Sequence, residues 1–153
     1  MENKVQFRHF GTMVDCSRNA VMSVPSVKRW IDLTSDLGYN TLMLYTEDTY
    51  EVDGHPYFGY MRGRYSQEEL KEIDAYALSK GIELIPCIQT LGHLTAPLNL
   101  PVYRHLRDAD DVILAGSEET YDLIDKMFSS ISKCFTSKTI NIGLDEAHSV
   151  GRG

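Results

Sequence analysis

Two carboxylates stand side by side at Asp145-Glu146, directly after the apolar run Thr139-Ile140-Asn141-Ile142-Gly143-Leu144. Unpaired buried carboxylates are costly. Adjacent acids just past an apolar strand therefore point to a working edge, where their pKa values are expected to separate into an acid-like and a base-like group. Other polar groups also follow apolar runs. Asp15 and Arg18 follow the first; the rigid guanidinium fork suits vicinal hydroxyls or a carboxylate, and the same spacing fits a surface ion pair. Glu47 and Asp48 follow the second, as binding acids or as solvated loop residues. Gln89, Gly92 and His93 follow the third. Gly92 permits close backbone approach. His93 suits acid–base chemistry or ligation, or a structural hydrogen bond. His93, Asp145, Glu146 and His148 contain no fixed ligand-spacing motif, so no metal is expected. Cys16, Cys87 and Cys134 read as core or helix residues, without a nucleophile signature.

These groups need elements to hold them. Apolar residues predict strands over about 7–15, 40–45, 82–88 and 139–144. Val27, Trp30, Ile31, Thr34 and Leu37 recur at helical spacing after Pro25 and before Gly38. Ser66-Gln67-Glu68-Glu69 reads as a capping box opening a helix through Leu70, Ile73, Ala77 and Leu78 to Gly81. A third helix is expected over about 117–134. Residues 46–65 read as an acidic loop. Residues 89–116 read as a long loop with a helical turn near 101–107. The order β-α-β-α-β-α-β, with near-continuous apolar strands, argues for an α/β fold with a parallel sheet and right-handed crossovers. Helix-to-strand links are tight. Strand-to-helix links are long and carry the unusual polar residues, as at the carboxyl edge of a (β/α)8 TIM barrel. A doubly wound sheet fits less well, because no glycine-rich phosphate loop follows the first strand. A whole barrel takes roughly 250 residues, so residues 1–153 are expected to supply strands one to four, with Met13, Leu44, Ile85 and Ile142 pointing inward.

Composition narrows the partners. The 153 residues are 42% hydrophobic and 24% charged, which places the chain among globular proteins. Fifteen basic against twenty-two acidic residues give a net charge of −7, which disfavours nucleic acid and anionic membrane surfaces. No apolar run is long enough to span a bilayer. Three scattered cysteines make neither a disulfide framework nor a zinc knuckle, and the odd count fits a reducing compartment. Residues 1–8 lack the apolar core of a signal peptide, and a cytoplasmic location is the expectation.

As an ordered set, these pieces resemble the glycoside hydrolase family 20 β-N-acetylhexosaminidases, over about residues 7–151. Met13-Val14-Asp15-Cys16-Ser17-Arg18 resembles the first-strand motif whose arginine holds hydroxyls of the terminal sugar. Gln89-Thr90-Leu91-Gly92-His93 resembles the third-strand Gly-His motif. Ile142-Gly143-Leu144-Asp145-Glu146 resembles the motif that carries catalysis. The Gln-Thr-x-Gly-His form, Tyr103-Arg104-His105-Leu106-Arg107 and Asp-Glu-Ala-His are similar to the hexosaminidase D-like branch. Gln89 and Asn141 depart from the Asp and His that many members carry there.

The resemblance implies the first half of a (β/α)8 catalytic barrel and an exo-acting enzyme on N-acetylhexosamine-containing glycans. The substrate's 2-acetamido oxygen would be the nucleophile. Glu146 would be the acid and then the base, and Asp145 would orient the acetamido group. Arg18 would hold hydroxyls, with His93 in the network beside Glu146 and Asp15, Glu47 and Asp48 among the sugar-binding residues. No metal or organic cofactor is implied. Tyr45, Tyr57 and Tyr60 are candidates for stacking on sugar faces. The expectation for these residues alone is an inactive, self-associating half-barrel with open sheet edges. The rivals are a noncatalytic sugar-binding or assembly half-barrel and a metal-dependent (β/α) hydrolase using His93 and the acidic pair.

Overall fold

The computed structural model describes residues 7–18 and 20–153. The signal-peptide reading falls largely on residues 1–6, outside the described residues. Three parallel strands, β1 (Gly11–Asp15), β2 (Thr41–Tyr45) and β3 (Glu83–Cys87), pair in the order β1-β2-β3. Helix α1 (Val24–Asp36) connects the first pair and α2 (Gln67–Ser79) the second.

Local sequence accounts for both helices. In α1, Val27, Ile31 and Thr34 recur on one buried face and Pro25 occupies the first turn, where its missing N–H costs nothing. Gly38, at φ 84°, ends the helix in a conformation that only glycine adopts cheaply. The capping box opening α2 is formed. Ser66 Oγ accepts the Glu69 amide proton at 3.1 Å, and a Glu69 carboxylate oxygen accepts the Ser66 amide proton at 2.8 Å. Such a cap stabilises a helix by about 1 kcal/mol.

The core lies between sheet and helices. Leu42, Leu44 and Leu84 pack with Val27, Ile31, Leu70, Ile73 and Ala77. Register aligns Met13, Met43 and Ile85 on the opposite face, and Val14, Leu44 and Pro86 on the helix-facing one. The expected inward set is therefore corrected. Met13 and Ile85 share the inner face, but Leu44 is on the helix side, one residue out of phase. Asn141 Nδ2 lies 3.9 Å from the Met43 sulfur on the inner face, so alternation turns Ile142 outward as well.

The fourth expected strand is reduced to a single parallel bridge between Cys87 and Asn141. The Ile88 amide donates to the Asn141 carbonyl at 3.0 Å, and the Asn141 amide to the Pro86 carbonyl at 2.9 Å. Beyond it, Gly143 and Leu144 at φ 75° and 77° take the chain out of extended geometry.

The two long links are more structured than expected. Residues 46–65 bury Tyr50, Val52, Phe58 and Tyr65, and Tyr50 bridges Tyr65. Residues 89–116 hold α3 (Thr95–Leu98), a 3₁₀ turn at Arg104–Leu106, and a hairpin of β4 (Arg107–Ala109) and β5 (Val112–Ile113). Helix α4 (Glu118–Ser132) follows. No helix among the described residues is long and apolar enough to cross a membrane.

Candidate functional site

The parallel register places Asp15, Tyr45 and Cys87 abreast at the carboxyl ends of β1, β2 and β3. The residues that follow each strand consequently emerge on one edge, and the Cys87–Asn141 bridge brings residues 142–146 to the same edge.

His93 is the hub. Its backbone sits at φ 57°, and its amide donates to Asp111 Oδ2 at 2.9 Å, fixing the turn that aims the ring. Nδ1 lies 3.7 Å from Glu47 Oε1. Nε2 lies 3.4 Å from Asp145 Oδ2 and 3.3 Å from Glu146 Oε2. The imidazole side chain is 12% exposed, whereas those of Asp145 and Glu146 are 52% and 68% exposed. Gly92 permits this approach: a Cβ there would sit 3.1 Å from the Asp145 carbonyl oxygen.

Gln89, wholly buried, ties the pair to the sheet. Its Nε2 donates to Tyr45 Oη at 2.8 Å and to Asp145 Oδ1 at 2.5 Å, and its Oε1 accepts the Leu144 amide proton at 3.2 Å. The hydrogen bond from Gln89 holds the Asp145 carboxyl below the usual carboxylate range. Burial pushes the Tyr45 phenol up. That phenol reaches Glu47 Oε1 at 3.3 Å.

Glu47 follows β2 at φ 48° and is nearly buried; desolvation raises its pKa, partly offset by Arg18 and His93. The Arg18 guanidinium lies 3.4 Å from Glu47 Oε1 and 3.9 Å from Asp15 Oδ2, and half of it faces solvent. Asp15 accepts from the Ser17 amide at 2.8 Å and the Ser17 hydroxyl at 2.6 Å. Burial opposes these bonds, but together with Arg18 they carry its pKa below the ordinary value.

Asp15, Arg18, Glu47, His93, Asp145 and Glu146 are thus brought together. Asp48 is not. Its side chain, 2% exposed, is paired with Arg62 at 3.2 Å and belongs to the support of residues 46–65. Arg62 also donates to the Ser17 carbonyl. His148 is exposed and outside the group. Tyr57 and Tyr60 pack edge to face against each other, with Tyr57 on a separate groove. That groove, of about 670 Å³ between Tyr57, Tyr103, His105, Glu119, Asp122 and Lys126, contains none of the site residues. A cleft of about 310 Å³, lined by Ser17, Arg18, Glu47, Arg62, His93 and the start of α3, borders the Arg18–His93 side of the group; Asp145 and Glu146 lie outside its lining.

Sequence reasoning overlooked Arg62 and Asp111. Nothing in their spacing marked them, since both act across long stretches of chain. Tyr45 was marked only as a stacking candidate, although its hydroxyl is what joins Gln89 to Glu47.

The His93 Nε2 and one oxygen from each of Asp145 and Glu146 lie within 4.8 Å of one another, close enough to converge on one cation or to exchange a proton. The Gln89 bond favours a fixed, ionised Asp145. The exposed Glu146 beside the imidazole is free to trade a proton with a bound molecule. Such an arrangement can protonate a leaving oxygen while stabilising a nearby positive charge.

Comparison with known proteins places the chain among characterised relatives. Hexosaminidase D from Bos taurus is 28% identical over 121 residues, covering 76% of this chain and 35% of that protein. A Vibrio furnissii beta-hexosaminidase is 28% identical, covering 92% of this chain and 29% of its own length. The chain thus spans about a third or less of these relatives. Among solved structures, a GH20 exo beta-N-acetylglucosaminidase from Vibrio harveyi in complex with N-acetylglucosamine superposes with a TM-score of 0.83 at 27% identity, over 92% of this chain and 28% of that one. A Streptomyces plicatus beta-hexosaminidase mutant in complex with its product, GlcNAc, gives 0.84 at 26% identity, over 96% and 34%. These neighbours have a TIM-barrel catalytic domain, and the three-stranded parallel sheet corresponds to part of it. The family model for glycosyl hydrolase family 20, catalytic domain, matches residues 7–151, and the chain belongs to that family.

Proposed function

We propose that the protein containing these residues is an exo-β-N-acetylhexosaminidase that removes terminal N-acetylhexosamine by substrate-assisted, retaining catalysis. The observation that carries this reading is the convergence of both carboxylates on one imidazole nitrogen, at 3.4 and 3.3 Å. A retaining glycosidase with an enzymic nucleophile sets its two carboxyls on opposite sides of the sugar, about 5–5.5 Å apart. Here the two acids are neighbours in sequence and lie against the same imidazole nitrogen rather than facing each other across the cleft. That arrangement suits a nucleophile supplied by the substrate, as the family resemblance implies.

In the first step the 2-acetamido oxygen attacks the anomeric carbon, the bond to the leaving oxygen breaks, and Glu146 gives that oxygen its proton. An oxazolinium ring results. Asp145, held ionised, accepts the acetamido N–H and stabilises the positive charge that develops there. In the second step water attacks the anomeric carbon, Glu146 takes the water proton, and the ring opens with retained configuration. His93, braced by Glu47, sits beside Glu146 to support both protonation states. Arg18, steered by Glu47 and Asp15, offers its remaining N–H groups to sugar hydroxyls. Asp48 acts only as Arg62's partner. No step needs a metal or organic cofactor.

The 153 residues are read as the first four βα units of the barrel, supported by the three-stranded sheet and the added bridge at Asn141. Alone they are read as inactive and self-associating. The support is that Asp145 and Glu146 are more than half exposed, whereas this chemistry needs bulk solvent kept from the acid pair while one attacking water is admitted. Met13 on the inner face is 52% exposed, and sheet edges left open recruit other chains. Three free, buried cysteines support a reducing, cytoplasmic location.

The test is a pair of aryl substrates given to the full-length protein. An aryl N-acetyl-β-glucosaminide is expected to be hydrolysed, and the matching aryl β-glucoside, with a hydroxyl in place of the acetamido group, to be inert. Comparable rates on the two would exclude substrate assistance.

A further inference from the structure

Gln89 makes more bonds to the site than any role given to it so far requires. Its carboxamide has one acceptor and two donor protons, and all three are used. The Leu144 amide occupies Oε1, which fixes which end of the group is oxygen. The two Nε2 protons then go to Tyr45 Oη and Asp145 Oδ1. Because Tyr45 accepts from Gln89, its own proton points to Glu47. The chain Asp145–Gln89–Tyr45–Glu47 therefore presents an N–H to the carboxylate at one end and an O–H to the carboxylate at the other, through two neutral groups. Gly143 is shaped to it: a Cβ there would come within 2.1 Å of Gln89 Oε1. The backbone just before the acidic pair closes directly onto the carboxamide.

We infer that Gln89 is a positioning residue that holds Asp145 at one angle, as a proton acceptor, against Leu144, Tyr45 and the end of β2. The inference rests on the reading of Asp145 as the group that orients the acetamido substituent. A carboxylate at this position has no proton to give Asp145, and it would set two negative oxygens at the 2.5 Å contact. A hydrocarbon there would leave the Leu144 amide without a partner and Asp145 Oδ1 without its donor. The Asp that many members carry here could bridge to Asp145 only by holding a proton between the two carboxyls; the carboxamide serves all three neighbours without one.

The experiment is a double-mutant cycle in the full-length protein, on an aryl N-acetyl-β-glucosaminide. Gln89→Glu is nearly isosteric and keeps the acceptor for Leu144. It is expected to lower kcat about 100-fold, the scale of removing one preorganised donor. It should also lower the melting temperature, by opposing two carboxylates. Asp145→Asn should lower kcat to a similar degree. In the double variant the new amide at 145 can donate to the new carboxylate at 89. The melting temperature should recover, while kcat stays within about twofold of Asp145→Asn alone, because Gln89 has nothing left to act through. A purely structural role predicts recovery of both or of neither.

Wild-type kcat in Gln89→Glu, or a double variant that loses the product of the two single losses, overturns this inference and leaves the reading of Asp145 standing. Normal turnover by Asp145→Asn overturns that reading first, and the inference with it. Should Gln89→Glu fail to fold, the comparison of the double variant with Asp145→Asn decides alone.

Discussion

Arg62→Met tests whether the loop behind the site is held by one ion pair. Asp48 is 2% exposed, and its Oδ1 is reached by Arg62 Nε at 3.3 Å and Nη2 at 3.2 Å. Removing one partner of a buried pair costs about 3–5 kcal/mol, because the remaining charge is stranded. Arg62 is itself 30% exposed, so water already solvates part of the pair and the low end applies, about 3 kcal/mol. For a domain of this size that is about 6–12 °C in melting temperature. The effect should depend on pH. Burial pushes the Asp48 carboxyl above its ordinary value, and Arg62 offsets part of that. A carboxyl raised by folding favours the folded state below its unfolded pKa of about 3.9, and this contribution is lost as pH climbs through the folded value. Without Arg62 the folded value rises further and the loss at neutral pH deepens. Melts of Arg62→Met and wild type should therefore lie furthest apart near neutrality and draw together in acid, towards about pH 4. Asp48→Asn added to Arg62→Met should close the gap and abolish its pH dependence. A gap under about 0.5 kcal/mol at neutral pH, the scatter of ordinary surface substitutions, would refute the reasoning.

Three further outcomes are expected. In the full-length protein, Glu146→Gln should lower turnover of a poor-leaving-group N-acetyl-β-hexosaminide by roughly 10²–10⁴-fold, with partial rescue of the first step on an activated aryl substrate; near-normal turnover of the poor substrate would remove Glu146 from the acid role. Arg18→Lys should reduce kcat/KM by an amount corresponding to roughly 1.5–3 kcal/mol for each charge-assisted hydrogen bond lost, since a lysine lacks the planar fork; unchanged kinetics in a folded variant would leave Arg18 as a surface partner of Glu47 and Asp15. Residues 1–153 alone should self-associate in light scattering and leave an aryl N-acetyl-β-glucosaminide intact; a strict monomer at high concentration, or robust turnover, would contradict that reading.

The elements were legible where local chemistry sets them. The capping box at Ser66–Glu69 and the glycine stop at Gly38 depend on a few adjacent residues, so composition and spacing suffice. The phase of the strands was less legible. In a sheet covered on both faces, apolar residues do not alternate with polar ones, so Leu44 and Met43 look alike in sequence. Only register with Val14 and Pro86 assigns Leu44 to the helix side. The run 139–144 carries a strand's apolar pattern but ends in two left-handed residues, and periodicity says nothing about backbone sign. The hairpin at 107–113 escaped because its strands are three and two residues long, too short to display a period.

The site divides along a similar line. Charged residues at strand ends announce themselves as candidates, because a charged group beside an apolar run needs a reason to be there. That logic singled out Asp15, Arg18, Glu47, Asp48, His93, Asp145 and Glu146, with a plain structural reading open beside them, and the family resemblance supplied their expected roles; Asp48 has the same type and place as Glu47. What separates the two acids is a single step of backbone. Glu47, at φ 48°, turns its carboxylate toward Arg18 and His93, while Asp48 points behind the loop to Arg62. Supporting residues announce themselves less: Gln89 stood out as a polar group after the third apolar run, but not the partners it joins. Gln89 is an amide in an apolar neighbourhood, and Asp111 lies eighteen residues beyond the histidine amide it holds. Their importance comes from hydrogen-bond polarity: Leu144 decides which way Gln89 faces, Gln89 decides which way the Tyr45 proton faces, and the two together keep protons directed at Asp145 and Glu47. The charges in the cleft can be read from the chain, but their orientation depends on neutral groups that only the fold brings into contact.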